Sequence, residues 1–140
     1  MFSQTTEYAL RAMAVLAQSP DQLVSTIAIA ERTQVPANYL AKVLQQLAAA
    51  GLLAGRRGVG GGYRLARPPQ EIALIEIVRA VCEFNRLGKC PIGCQQSNLC
   101  ALHKIVDHAA GHVIDLFEKV SLQTLLDDET AASRPLCGAK

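Results

Sequence analysis

The sequence predicts a mostly α-helical chain with one small β-hairpin: a winged helix-turn-helix followed by a long dimerisation helix. Three observations predict it. A short helix, a tight turn, a second helix and a glycine-rich hairpin follow one another from Ser25 to Ala66. A heptad of apolar residues runs from Leu102 to Val120. Between them, residues 83–100 lose all periodicity and gather three cysteines.

Ser3 to Gln18 reads as the first helix, apolar on nearly all sides through Tyr8, Leu10, Ala12, Met13, Val15 and Leu16. Such a helix is buried between other elements. Its one conspicuous acid, Glu7, has Arg11 four residues on, the spacing of a surface ion pair. Ser19-Pro20-Asp21 ends the helix, and residues 22–24 suit a small strand beside the hairpin.

Ser25 to Thr33 reads as the second helix, with Ser25 or Thr26 as its cap, and Gln34-Val35-Pro36 is the tight turn. Pro36 opens the third helix, where Leu40, Val43, Leu44 and Leu47 form one apolar stripe and Gly51 closes the end. Leu52-Leu53 and Tyr63-Arg64-Leu65 then read as strands. The loop Gly55–Gly62 between them holds five glycines and the pair Arg56-Arg57. Arg67-Pro68-Pro69 stops the second strand, and Ile72–Val81 gives a fourth helix with Leu74, Ile77, Val78 and Val81 facing the core.

A helix feeding into a basic, glycine-rich hairpin suits a protein that reads DNA. The helix enters the major groove, and the wing lies on the backbone and reaches the minor groove. A plain helix–hairpin corner with solvated arginines is the alternative, and the helix and turn ahead of it favour DNA. Asn38, Tyr39 and Lys42 are expected to face the major groove, with Gln45 near the backbone. Arg56, Arg57 and Arg64 are expected to grip phosphates or the minor groove, and Ser25, Gly60, Gly61 and Tyr63 complete the expected interface. Net charge is only +2, but residues 1–67 hold seven basic against three acidic residues, net +4. Residues 68–140 hold seven against nine, net −2. The basic half is the half with the motif.

Half of the 140 residues are apolar, enough for a single domain with a core that needs no disulfides. No apolar run approaches the ~18 residues of a membrane span. The start shows no charged region followed by an apolar one, so the expected location is cytoplasmic. In the last third, Leu102, Val106, Ala109, Val113, Leu116 and Val120 recur at alternating intervals of four and three. That seam belongs to a helix packed lengthwise on a partner, either a second copy of the chain or its own domain. The winged motif already uses the rest of the chain, which favours a homodimer with two reading heads. The expected organisation is a DNA-binding domain over 1–82, a cysteine-rich loop over 83–100, a dimerisation helix over 101–126 and a flexible tail over 127–140.

Five cysteines occur. Cys82 ends an apolar helix as a small core residue, and Cys137 in the tail has no assigned role. Cys90, Cys94 and Cys100 form C-x3-C-x5-C, with His103 one helical turn on. An odd count in a cytoplasmic chain speaks against a disulfide framework. Three thiolates in one loop wrap a soft metal centre instead, either zinc held by Cys90, Cys94, Cys100 and His103 or an iron–sulfur cluster. A thiol redox switch is the third reading. A thiol-redox enzyme is disfavoured, because the pair is not C-x-x-C and no βαβ pattern surrounds it. No nucleophile–base set occurs, so the chain reads as a non-enzyme.

The segments TEYALRAM, PANYLAKVLQQLAAAGLL, RRGVGGGYRLA and EIALIEIVRAV, with the three-cysteine loop, resemble the Rrf-two family of bacterial regulators over about residues 1–126. The resemblance implies a dimeric winged-helix repressor or activator. Its three-cysteine members carry an iron–sulfur cluster whose state controls DNA binding. Cys90, Cys94 and Cys100 match the cluster cysteines. Glu7 matches the acid that NsrR-like members supply from the partner's first helix, and His103 matches the histidine of IscR-like members. The chain departs from the pattern in placing three residues, not four or more, between its first two cysteines. The glutamate tilts the expectation toward a 4Fe-4S cluster and a repressor sensing nitric oxide or redox state. An IscR-like regulator of iron–sulfur biogenesis with a 2Fe-2S cluster, and a structural zinc site, are the alternatives.

Overall fold

Helix α1 (Gln4–Ala17) is the element on which the others are laid. The computed structural model describes residues 2–89, 91 and 99–127 of the chain. Ser3 caps α1 by accepting a hydrogen bond from the Thr6 N–H at 3.2 Å. Ala9, Ala12, Met13 and Leu16 are fully buried, as a helix apolar on nearly every side must be. Around it pack α2 (Thr26–Thr33), α3 (Ala37–Ala49), α4 (Leu74–Val81) and α6 (Leu122–Asp127).

The helix-turn-helix follows the expected order. Ser25 is the cap of α2, its hydroxyl accepting from the Ala28 N–H at 3.2 Å. Gln34 turns the chain in the left-handed region at φ +56, and Pro36 enters α3. Leu40, Val43, Leu44 and Leu47 are all buried, and Gly51 at φ +77 ends the helix while the Leu52 N–H returns to the Leu47 carbonyl. The strands are β1 (Leu53–Arg56) and β2 (Gly62–Leu65), antiparallel, with Leu53 opposite Leu65 and Arg56 opposite Gly62. Gly55 and Arg56 therefore belong to a strand and not to the loop, because Tyr63 opposite Gly55 continues the ladder. The expected strand over 22–24 shrinks to one bridge, Val24 with Tyr63, made by two backbone hydrogen bonds of 2.9 Å.

The second half departs further from expectation. A 3-10 turn (Pro69–Glu71) comes first and α4 begins at Leu74, not at Ile72. Ile72 is extended because its carbonyl accepts from the Leu122 N–H at 2.8 Å, while the Leu74 N–H donates to Val120 at 3.0 Å. This same pairing divides the single helix expected over 101–126 into α5 (Ala101–Lys119) and α6. Leu122, fully buried, brings α6 back onto the core. Val81 and Cys82 are only half-buried. Cys82 ends α4, its thiol donating to the Val78 carbonyl at 3.3 Å and accepting from the Thr6 hydroxyl at 3.6 Å.

The apolar seam of α5 is rotated from its expected position. Gly111 and Ile114 face inward with half-buried Phe117, and Val113 and Val120 are half-buried too. Leu102, Ile105 and Leu116 are 65%, 70% and 57% exposed. The outward stripe is thus Leu102, Ile105, Ala109, His112 and Leu116, flanked by Val106, at alternating intervals of three and four. The expected tail from residue 128, with Cys137, lies outside the described residues.

Because Leu122 is the buried anchor of α6, Leu122→Ala is expected to cost ~2–5 kcal/mol. Denaturant unfolding at neutral pH checks this.

Candidate functional site

Two sets of residues are candidates for the chemistry, one on α3 and the wing and one at the start of α5. On α3, Asn38, Tyr39, Lys42, Gln45 and Gln46 are exposed on the side opposite the buried leucines. Lys42, Arg56, Arg57 and Arg64 are all exposed, and none has an ion-pair partner among the described residues. Exposed cations with no acid paired to them suit a polyanion.

The wing is shaped by backbone contacts that admit no side chain. A Cβ on Gly61 would lie 2.2 Å from the Arg56 carbonyl oxygen. One on Gly62, at φ +152, would lie 2.2 Å from the Val24 oxygen. Gly60, at φ +72, completes the tip. Tyr63 is half-buried, its ring lying across Gly55, so it braces the wing more than it presents itself. A cleft of about 530 Å³ runs between the start of α2 and the wing, lined by Ser25, Thr26, Arg56, Arg57 and Gly61 among others. A second, of about 670 Å³, joins Tyr39, Lys42 and Gln45 to Gln4, Thr5 and Tyr8 of α1.

At the other set, Cys100 stands as the residue before α5 and His103 one turn inside it. The Cys100 Sγ and His103 Nδ1 are 3.0 Å apart. A soft thiolate and an imidazole on neighbouring positions of one helix turn fit two ligands of a single metal centre. Cys90 and Cys94 lie outside the described residues. Glu7 is exposed and ion-paired to Arg11, which also donates to the Thr33 carbonyl at 3.5 Å. Among the described residues no three metal-ligating side chains gather, so the fold does not bring Glu7 to Cys100 and His103 within one chain.

The strap after α4, residues 83–89, passes along α5. Arg86 clasps Asp107 with both arms of its guanidinium, Nε to Oδ1 at 2.8 Å and Nη2 to Oδ2 at 2.5 Å. The Leu87 N–H adds a third hydrogen bond to Oδ1 at 2.8 Å. The Arg86 hydrogen bonds, against a smaller opposing effect of burial, hold the Asp107 carboxyl down at about 2. At Glu76, burial pushes the carboxyl up, but hydrogen bonds from Arg67 and the Ala73 N–H outweigh it and leave the group below its ordinary value.

Residues 2–128 match a family described as Rrf2, iron-dependent transcriptional regulator. The chain belongs to the Rrf2 family. It is 35% identical over 102 residues to the HTH-type transcriptional regulator IscR of Aliivibrio salmonicida, covering 71% of this chain and 61% of that regulator. It is 29% identical over 126 residues to the HTH-type regulator NsrR of Bacillus licheniformis, covering 86% and 88%. The structure of T. potens IscR superposes with a TM-score of 0.78 at 26% identity, covering 97% of this chain and 93% of that one. The Rrf2 chain is a helix-turn-helix transcriptional regulator, and its relatives are regulators and not enzymes. Members of this family bind DNA. No described helix is long and apolar enough to cross a membrane.

Sequence reading did not single out Gln46 and Thr5, which line the cleft beside Lys42, or the strap clasp. Gln46 stands four residues after Lys42, so helical spacing alone could have found it. Nothing in the sequence pairs Arg86 with Asp107 across 21 positions.

The depressed Glu76 carboxyl stabilises the fold above its unfolded value of about 4 and loses that contribution as pH falls through its folded value. The melting midpoint of the Rrf2 chain is therefore expected to fall on acidification below about pH 4. In Glu76→Gln the fall should be shallower, as thermal melts across that range would record.

Proposed function

We propose that this Rrf2 chain is a cytoplasmic, homodimeric, sequence-specific repressor whose hold on double-stranded DNA depends on an iron–sulfur cluster. The observation that carries the reading is the adjacent Cys100 thiol and His103 imidazole at the head of α5, in a chain whose reading head exposes four cations with no ion-pair partner among the described residues. When bound, such a cluster supplies a centre that responds to redox state, nitric oxide or iron supply.

The chain's own residues divide the work. Asn38, Tyr39 and Lys42 meet base edges in the major groove, and Gln45 lies toward the backbone. Arg56, Arg57 and Arg64 hold phosphates or the minor groove from the wing, with Gly60 and Gly61 allowing its close approach. Ser25 and Tyr63 border the cleft beside the wing. Leu102, Ile105, Ala109 and Leu116 form the face for a second copy of the chain, which brings two reading heads to a palindromic site. Helix α5 rests on α4, and α4 on α3, so packed helices link α5 to the reading head.

Cys90, Cys94 and Cys100 would hold the cluster. His103 is the fourth ligand that the 3.0 Å contact supports, which goes with a 2Fe-2S cluster. Glu7 from the partner subunit, with a 4Fe-4S cluster, requires that carboxylate to leave Arg11. Structural zinc is the second reading, favoured by the mixed sulfur and nitrogen donors.

A visible spectrum of protein purified without oxygen, with iron and sulfide counted, tests all three. About four irons per chain supports Glu7, about two supports His103, and colourless zinc protein removes the sensor. Cys94→Ala is expected to abolish cluster-dependent operator binding, read by gel shift with and without the cluster. Wild-type behaviour in that variant would end the proposal. Arg57→Ala is expected to weaken binding to all sequences alike and to lower the salt slope of log K by about 1. Titrations at several salt concentrations check it.

A further inference from the structure

We infer that Arg86 and Asp107 are positioning residues for the metal centre, fixing the strap against the face of α5 that carries Cys100 and His103. The inference rests on the reading above that these two residues are ligands.

Asp107 lies one turn beyond His103 and two beyond Cys100, on the same side of α5. Both of its oxygens are engaged, one by the guanidinium alone and one shared with the Leu87 N–H. From residue 85 to 89, Asp107 is the hydrogen-bond partner that ties the strap down among the described residues. The clasp also needs the next turn of the helix to be bare. A Cβ on Gly111 would lie 2.8 Å from Arg86 Nη1 and 3.0 Å from its Cζ.

The clasp is largely exposed on the arginine side, with the Arg86 side chain 59% accessible. Exposed ion pairs add little to global stability. What three hydrogen bonds to one carboxylate do well is set direction. They join chain positions 20 apart, so that the stretch between starts and ends at one place. Cys90 follows Leu87 by three residues, a reach of at most ~10 Å, and Cys100 precedes Asp107 by about 10 Å of helix. Pinning Leu87 to Asp107 fixes the end of the strap beside the helix turn that follows His103, which lowers the chain entropy lost when the ligands gather.

The test compares full-length wild type, Asp107→Asn and Gly111→Ala, each purified without oxygen, with Glu118→Gln as a control for the separate Arg79–Glu118 pair. Metal per chain is counted, its release to excess EDTA is timed by absorbance, and the metal-free forms are melted. Asp107→Asn and Gly111→Ala are expected to release metal about tenfold faster, the scale of outer-shell substitutions at metal sites. Glu118→Gln should match wild type, and the metal-free midpoints should stay close together. Gly111→Ala keeps every charge, so a faster release there reports the clasp itself. Release at the wild-type rate in both variants overturns the role, and a lowered metal-free midpoint with that unchanged rate assigns the pair to packing. A wild-type chain that takes up no metal overturns the metal reading above and this role with it.

Discussion

The whole domain depends on burying α1. Four residues along it, Ala9, Ala12, Met13 and Leu16, are sealed from solvent. Two are alanines, small enough for neighbouring helices to come close. Helices α2, α3, α4 and α6 all pack against it. This is why a chain with so little sheet still holds a two-stranded wing in place. Leu53 and Leu65 at the base of the hairpin join the same core, and Val24 ties the wing to the chain leaving α1. The reading helix and its wing are therefore set by one packing problem, not by two independent docking events.

The reading head was legible because each of its signals is local. Ser25, Pro36 and Gly51 announce their helix ends by their own chemistry, and the leucines of α3 repeat at the helical period. Non-local pairings were harder to see. Ile72 looks like the first residue of a helix, and only the arrival of Ser121 and Leu122 nearly fifty positions later makes it extended. The seam on α5 had two registers compatible with its apolar spacing, one through Val106 and Val113 and one through Ile105 and His112. Which one faces outward depends on Gly111 lying under Arg86 of the strap and on Ile114 being buried, and a single sequence carries no trace of that. The candidate metal ligands divide the same way. Cys100 and His103 are neighbours by helical spacing alone, whereas a role for Glu7 needs a second chain.

The two halves of the molecule also differ in how they treat charge. On the reading head, arginines and a lysine are held out with no ion-pair partner among the described residues. In the second half three acids have a cation beside them: Asp107 has Arg86, Glu118 has Arg79 and Glu76 has Arg67. Internal pairing there leaves the surface field to the DNA-facing half. A modest overall net charge is thus compatible with a strongly basic working face.

The backbone pairing of Ile72 and Leu74 with Val120 and Leu122 has a mechanical side. It nails the C-terminal end of α5 to the core, so that helix cannot slide along its axis and can only swing about that end. At 1.5 Å per residue the helix is a pointer about 28 Å long, with the cysteine end at its tip. A swing of roughly 5° about the nailed end would carry Cys100 some 2.5 Å, by the same helix rise. The same swing hardly disturbs Phe117, one turn from the pivot. Motion in this helix is amplified at the candidate ligands Cys100 and His103 and muted where it meets the core.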